Sequence, residues 1–448
     1  MSSRYTFDQF AAVRNFIDLS FSPDGKWVAY CTNPSGQFNV WRQRVDPNHE
    51  GSSVPIQLTD LTDTALLRAA WSPDGKRLVT MADYSGYELH QLYEIPPSNG
   101  ELLPLTHAPE ARHELARSPF SPDGRFLAYA ANARNPMEFD VVVLDLETGD
   151  TRILLSEAGN YFPDSWSPDG RFVLAFTMGE AANNNLYLCD TKTGESRCVT
   201  EHQGEAVFWP GAWDADGKGF YYLSNDAREF TELAYYELQT GRTRWVETPD
   251  WDVEAVATSP EGRFLAWVIN EGGFSRLYVR DLQTGDTRQY PHLPQGVIGK
   301  IQFSPRAGLL GLYLSRPVHP TDLYMLDMEK GHFWTLTHSF AGGIPEGEMV
   351  EPELVHYPTH DGLQIPGFLY KPKNRLGQPM PVVISIHGGP EAQERPTYTS
   401  SNGFYQYLLH LGIGIFTPNI RGSSGYGKSY QRRIHRDWGG AELQDLAC

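Results

Sequence analysis

The chain has 448 residues, a mass of 50.4 kDa and a net charge of −18, longer than one compact domain of about 100–200 residues. The charge is unevenly placed, with −20 on residues 1–351 and +2 on residues 352–448. So acidic a chain repels phosphate backbones, which argues against a nucleic-acid partner. No apolar run approaches the roughly 20 residues of a membrane-spanning helix, and the opening MSSRYTFDQF has neither the apolar core nor the cleavage site of a signal peptide. A cytoplasmic protein is expected. With 42 Gly, 32 Pro and 12% aromatic residues, the composition suits many short strands joined by tight turns.

At the N-terminus, Thr6-Phe7-Asp8-Gln9 reads as a capping box opening a short helix within residues 1–17, with a frayed terminus as the alternative. Internal repeats then dominate. FSPDGKWVAY from Phe21, WSPDGKRLVT from Trp71, FSPDGRFLAY from Phe120 and WSPDGRFVLA from Trp166 align closely. Looser copies begin at Trp213, Thr258 and Phe303, giving steps of 50, 49, 46, 47, 45 and 45 residues. In each copy the aromatic residue ends a strand and Pro stops further ladder pairing. Asp then caps the turn, and Gly takes its left-handed position. The next strand is apolar on both faces, so it needs cover on both sides. A second hairpin follows, as in VVVLDLETGDTRILL. Four strands per period of about 45 residues predict a seven-bladed β-propeller over residues 18–345.

Four cysteines are too few for a disulfide framework. Cys189 and Cys198 flank a predicted hairpin turn that brings them within reach of each other across its strands, as a reduced pair in the cytosol. No Cys/His cluster has zinc spacing.

After Gly347 the pattern changes. Two strands around Asp361-Gly362 read as a hairpin, and PVVISIHGGP reads as a buried apolar strand ending in a Gly-rich loop. A helix (SNGFYQYLLHLG), a strand (IGIFTPN), the loop IRGSSGYGKS, a polar helix (SYQRRIHRDW) and a further helical stretch (AELQDLAC) follow. This order points to a parallel sheet with covering helices over residues 346–448, which the resemblance described below implies to be an incomplete α/β-hydrolase domain. Glycines in a loop after such a strand let backbone N–H groups face a developing oxyanion. Gly422–Ser429 satisfies the phosphate-loop pattern, but only residues 430–448 follow and none forms the acidic magnesium-binding strand that chemistry requires. His356 and His360 have helical metal-ligand spacing, yet Pro358 between them denies them a shared helix face. Neither a metal nor a cofactor is expected. No G-x-S-x-G nucleophile elbow occurs in the 448 residues.

SPDG blades followed by HGGP and NIRGSSGYG resemble the prolyl oligopeptidase family of serine peptidases, most nearly its acylaminoacyl-peptidase and dipeptidyl-aminopeptidase-like branch. The resemblance covers essentially the whole chain. It implies a propeller capping an α/β-hydrolase domain, with the oxyanion and substrate site on His387, Gly388 and Gly389. Asn419–Gly427 match a family loop with a structural role. The Ser, Asp and His of the triad are expected beyond Cys448, so the chain reads as truncated and, by itself, inactive. The implied partners are short or N-acylated peptides, with a homo-oligomer or a complementing C-terminal fragment as further expectations. A non-catalytic propeller of the TolB type, binding peptides or proteins, is the alternative reading.

Overall fold

The computed structural model describes residues 4–46, 53–179, 182–290, 292–306, 308–375, 377–389 and 391–448. Ala307 of the seventh repeat and Pro390 of the HGGP segment lie outside the described residues. The chain is mainly β. At its start the capping box forms: Gln9 N donates to Thr6 Oγ1 at 3.4 Å and Thr6 N donates to Gln9 Oε1 at 3.0 Å, opening the helix Phe7–Ala11.

Each SPDG segment builds the same turn. In the third, Ser121 Oγ donates to Asp123 Oδ1 at 2.5 Å and accepts from Phe126 N at 2.9 Å, while Arg125 N donates to Asp123 at 3.1 Å and Gly124 sits at φ 75°. The serine is therefore as much a part of the turn as Asp and Gly. The residue after Gly recurs as well. Arg125, Arg171 and Arg263 each pair with an aspartate ending the third strand, namely Asp145 (2.6 Å), Asp190 (3.1 Å) and Asp281 (2.9 Å). Each guanidinium also lies over the next aromatic ring, Phe126, Phe172 or Phe264.

Segments 16–57, 208–247, 252–289 and 297–335 form four-stranded antiparallel meanders. Residues 113–155 and 161–198 form two more, fused into one eight-stranded sheet through the parallel bridge Ser118–Ser165. The second repeat departs from four strands. Its first strand is split into Thr64–Leu66 and Ala70–Trp71, both pairing with Leu78–Tyr84. Between them Ala69 N leaves the ladder to donate to Asp18 Oδ2 of the neighbouring sheet at 3.1 Å.

The first strands line the centre of the propeller. Phe16–Phe21 touches Ala70–Trp71, His113–Phe120 pairs with Tyr161–Trp166, and Val297–Phe303 comes back to Phe16–Phe21. The core lies between sheets. Leu19, Val28 and Tyr30 of the first sheet pack with Leu323, Met325 and Trp334 of the last, closing the ring. Each such buried side chain contributes about 1.5–3 kcal/mol. The apolar stretches of the second strands are buried, as in Phe264–Glu271, where every residue but Glu271 is buried and Trp267 is 1% exposed.

The meeting of Cys189 and Cys198 across the hairpin is corrected by register, while their reduced state is as expected. Cys189 pairs with Ser196 and Cys198 with Tyr187, so the two thiols are offset along the hairpin and all four cysteines are free.

The last sheet is mixed, with spatial order Glu353–Pro358, Gln364–Tyr370, Gly414–Pro418, Val382–Ile384. The hairpin around Asp361 is antiparallel, and only Val382–Ile384 runs parallel to Gly414–Pro418. That strand is not buried. It is an edge strand of three residues that are 40–54% exposed, because no described strand flanks it on its outer side. The polar helix is shorter than expected: Lys428–Gln431 is α-helical, Arg432–Ile434 is a 3-10 turn, and the chain breaks away at Arg436, which sits at φ 64°. The helices Phe404–His410 and Ala441–Ala447 form. Among the described residues no helix is long and apolar enough to cross a membrane.

Candidate functional site

The Gly-rich loop leaves the edge strand at Ser385, whose N–H extends the ladder to Phe416 O (2.9 Å) and whose Oγ accepts from Tyr405 OH at 2.7 Å. His387 is half-buried, and Gly388 and Gly389 are exposed. Gly389 sits at φ 120°, and a Cβ there would meet Ala392 Cβ at 3.0 Å, so the position suits glycine.

His387 Nε2 lies 2.9 Å from Ser423 Oγ, and Nδ1 lies 3.1 Å from Gly388 O. A neutral ring meets both when Nδ1–H donates to Gly388 O and Nε2 accepts the serine hydroxyl proton, which otherwise goes to Ile420 O at 2.7 Å. This Ser–His contact is not a nucleophile and its base. Ser423 is fully buried, and Nδ1 faces a carbonyl where a triad needs a carboxylate. The contact pins the loop to segment 419–427.

That segment ties several elements together. Asn419 Oδ1 accepts from Glu394 N (2.7 Å), its Nδ2 donates to Glu394 O (3.1 Å) and Tyr426 Oη (3.0 Å), and Ser424 N donates to Ala392 O (3.0 Å). Arg421 bridges Asp445 of the last helix (2.6 and 2.7 Å) and Asp361 of the hairpin turn (3.0 Å). His360, Asp361 and Asp445 approach within 4.8 Å of one another, but the Arg421 guanidinium already supplies their positive charge. Its hydrogen bonds hold the Asp361 carboxyl well below the usual carboxylate range. His356 is not in that group. At the phosphate-loop look-alike, the serine and lysine of the pattern are held by propeller groups. Glu229 Oε1 accepts from Ser429 N (2.8 Å) and Ser429 Oγ (2.5 Å), and Lys428 Nζ donates to Glu205 O and Asn225 O.

The loop continues into the propeller interface. Arg395 donates to Glu254 (2.7 and 2.9 Å), Gly273 O (3.0 Å) and Ser275 Oγ (3.1 Å), and Asn270 Nδ2 donates to Gln393 Oε1 at 2.6 Å. Burial raises the Glu254 carboxyl, outweighing the pull of Arg395. Between these contacts lies Glu394. Its Oε1 is buried without a hydrogen-bond partner, and burial pushes its carboxyl up to about 7. Glu394 and Arg395 have no motif in the sequence, and Ser423 stands there only as one serine of the GSSGYG loop. Only a charged pair following HGGP marked the first two, and nothing local marked a serine across the sheet as the partner of His387.

A model described as the prolyl oligopeptidase family matches residues 400–448. Over 524 residues the chain is 24% identical to the uncharacterized peptidase YuxL of Bacillus subtilis (strain 168), covering 100% of this chain and 75% of that one. It is 25% identical to dipeptidyl aminopeptidase BIII of Pseudoxanthomonas mexicana, covering 96% and 62%. Among solved structures it is similar to a prolyl endopeptidase (TM-score 0.80, 15% identity, 98% of this chain and 66% of that one). A Mycobacterium tuberculosis puromycin-hydrolyzing peptidase is similar too (TM-score 0.79, 17% identity, 99% and 72%). The chain thus spans about two thirds to three quarters of the length of these proteins. The prolyl oligopeptidase family is thus matched directly at residues 400–448, and the peptidases to which the chain is similar extend that likeness over its repeats, its Gly-rich loop and the 419–427 segment.

Proposed function

We propose that this chain is the propeller and leading part of the catalytic domain of a serine peptidase that cleaves short or N-acylated peptides through an acyl-enzyme. The observation that carries this reading is the exposed Gly388-Gly389 backbone, held at one end by His387–Ser423 and at the other by Glu394–Asn419. Backbone N–H groups fixed in this way can stabilise a tetrahedral oxyanion, with His387, Gly388 and Gly389 forming that side of the site. The similar proteins being peptidases supports it. The sheets of residues 16–335 act as seven blades, which admit flexible peptides of up to about 30 residues and turn folded proteins away. Four free cysteines fit a reducing, cytoplasmic setting.

Within these 448 residues there is no elbow serine, so the purified chain alone should take up no fluorophosphonate label and should not turn over acetyl-alanyl or prolyl chromogenic peptides. Joining it to the C-terminal segment of the Bacillus subtilis relative should confer turnover. In that fusion Gly389→Val, which keeps the N–H but strains the φ 120° turn and misaims the loop, should lower kcat by about 10²–10³-fold with KM little changed, the scale of a lost oxyanion donor. Labelling of the chain alone, or a Gly389→Val fusion with normal kcat, would refute the assignment.

A further inference from the structure

The first strands of the propeller share an irregularity. The ladder register shifts between Ile17 and Ser20, Leu115 and Phe120, Pro163 and Ser165, Pro210 and Trp213, Val253 and Ala255, and Ile298 and Lys300. Such bulges re-aim side chains, and here they turn charged groups toward the centre. Lys300 Nζ, on the last first-strand, donates to Asp18 and to Leu19 O (3.0 Å). Arg117 grips Asp164 at 2.8 and 2.9 Å and donates to Gly211 O across two further strands. Arg68 adds a third cation, donating to Leu115 O at 3.4 Å. Asp18 holds φ 59°, a conformation a non-glycine residue adopts only when its surroundings impose it. Three cations thus face two carboxylates at the centre of a propeller that is otherwise strongly acidic.

Beside these pairs is a cavity of about 260 Å³, formed by the first strands of five consecutive repeats. Arg117 and Lys300 line it with Ser118, Ser165, Thr258 and Gln302, and no carboxylate does. Asp18 and Asp164 are bound to the cations but are not among the lining residues. Three buried polar atoms of the lining residues have no hydrogen-bond partner: Gln302 Oε1, an acceptor, and the two that can donate, Ser165 Oγ and Trp213 Nε1. Ser165 is 5% exposed and its hydroxyl has no partner; Trp213, 7% exposed, leaves its indole N–H unpartnered in the same wall. Buried donors without acceptors are costly, and an anion with several acceptor lone pairs relieves that cost. The lining residues adjoin the SPDG turns, whereas the loops at the opposite ends of the strands, at Glu229, Gly273 and Arg316, touch the C-terminal sheet and its loops. The cavity therefore opens at the end of the central channel away from the Gly-rich loop.

We infer that the outer end of the propeller channel is a binding site for a carboxylate, held by Arg117, Lys300 and the Ser165 hydroxyl. With Nε and Nη2 of Arg117 engaged by Asp164 and Gly211 O, Nη1 is the guanidinium nitrogen left to donate to a carboxylate oxygen, in a charge-assisted hydrogen bond. The same ion pairs stitch neighbouring sheets together across the channel and narrow it, so this site is separate from the proposed peptidase centre and does not depend on it.

The test is calorimetric titration of the 448-residue chain at low ionic strength with acetate, with N-acetyl-alanyl-alanine as the free acid, and with the same dipeptide as its C-terminal amide. Both acids should bind saturably and the amide should not. Arg117→Gln should weaken the acids about tenfold, the loss expected for a charge-assisted hydrogen bond. Ser165→Val retains both cations, replaces the hydroxyl donor by methyl groups and should weaken the acids similarly. If circular dichroism shows that Arg117→Gln does not fold, Ser165→Val decides the matter. A peptide acid binding at least tenfold more tightly than acetate would identify a peptide C-terminus as the ligand; equal binding would identify a small free carboxylate. Equal binding of acid and amide, unchanged affinity in the folded variants, or no saturable binding of either acid would overturn the inference.

Discussion

Glu394 shows how one side chain records where it has been placed. Its carboxyl sits at the junction of sheet and propeller, pushed up to about 7 by burial and with Oε1 unpartnered. The folded state therefore favours the protonated form over the ordinary glutamate value of about 4.3. Stability should be highest below about pH 4.5 as far as this group is concerned, fall as pH rises toward 7, and level off above that. The difference amounts to about 3 kcal/mol. Glu394→Gln should abolish this slope, so that urea midpoints at pH 5 and pH 8 move closer together than in the unmodified chain. Ser423 is the complementary case, a fully buried hydroxyl fixing an exposed loop. Ser423→Ala should cost about 1–2 kcal/mol by leaving His387 and Ile420 O short of a partner. It should also loosen the Gly388-Gly389 segment, seen as faster amide hydrogen exchange there.

At the scale of the element, the SPDG turn was legible because its geometry is local. Pro, Asp and Gly each answer a backbone requirement within four residues, and Gly25, Gly75, Gly124 and Gly170 all take the left-handed conformation. The serine's part was not drawn from sequence, although it was equally local. The hydrogen bond from Ser121 is the leading reason Asp123 sits below its ordinary value, and Ser22 does the same for Asp24. For a depressed carboxyl the contribution is present above the unfolded value near 3.9 and is lost as pH falls through the lower folded one. Repeated round the ring, the turns should make the propeller lose stability steeply below about pH 4. A Ser121→Ala variant should be less stable by about 1–2 kcal/mol at pH 7 and show a shallower acid transition. What the sequence hid were features set by partners far along the chain. The exposure of Val382–Ile384 depends on which strand lies beside it, the offset of Cys189 from Cys198 on hairpin register, and the early end of the helix at Gln431 on the break at Arg436. An apolar run of three or four residues reads the same whether it is central or at an edge.

For the whole molecule, the change of pattern near residue 347 marked where repeats give way to a different sheet, but not how tightly the two parts are joined. Phe10 packs with Tyr407 of the helix Phe404–His410, Phe274 meets Phe368 edge-on, and Tyr398 N donates to Arg316 O at 2.7 Å. Arg395 is the central polar tie, reaching Glu254, Gly273 and Ser275 from one guanidinium. Removing it leaves Glu254 without its cation in a largely buried place, at a cost of roughly 2–3 kcal/mol, somewhat below that for breaking a fully buried pair. The propeller has its own closed ring of cores, whereas the C-terminal sheet shares its main cluster with Phe274 of the propeller. The two parts should therefore respond unequally. Under limited proteolysis, Arg395→Ala should expose residues 346–448 to cleavage first and leave a resistant fragment ending near residue 345. Such a fragment should unfold cooperatively on its own, since each repeat needs only its neighbours. Simultaneous loss of both parts, or cuts distributed through the repeats, would show that the propeller depends on the sheet it carries.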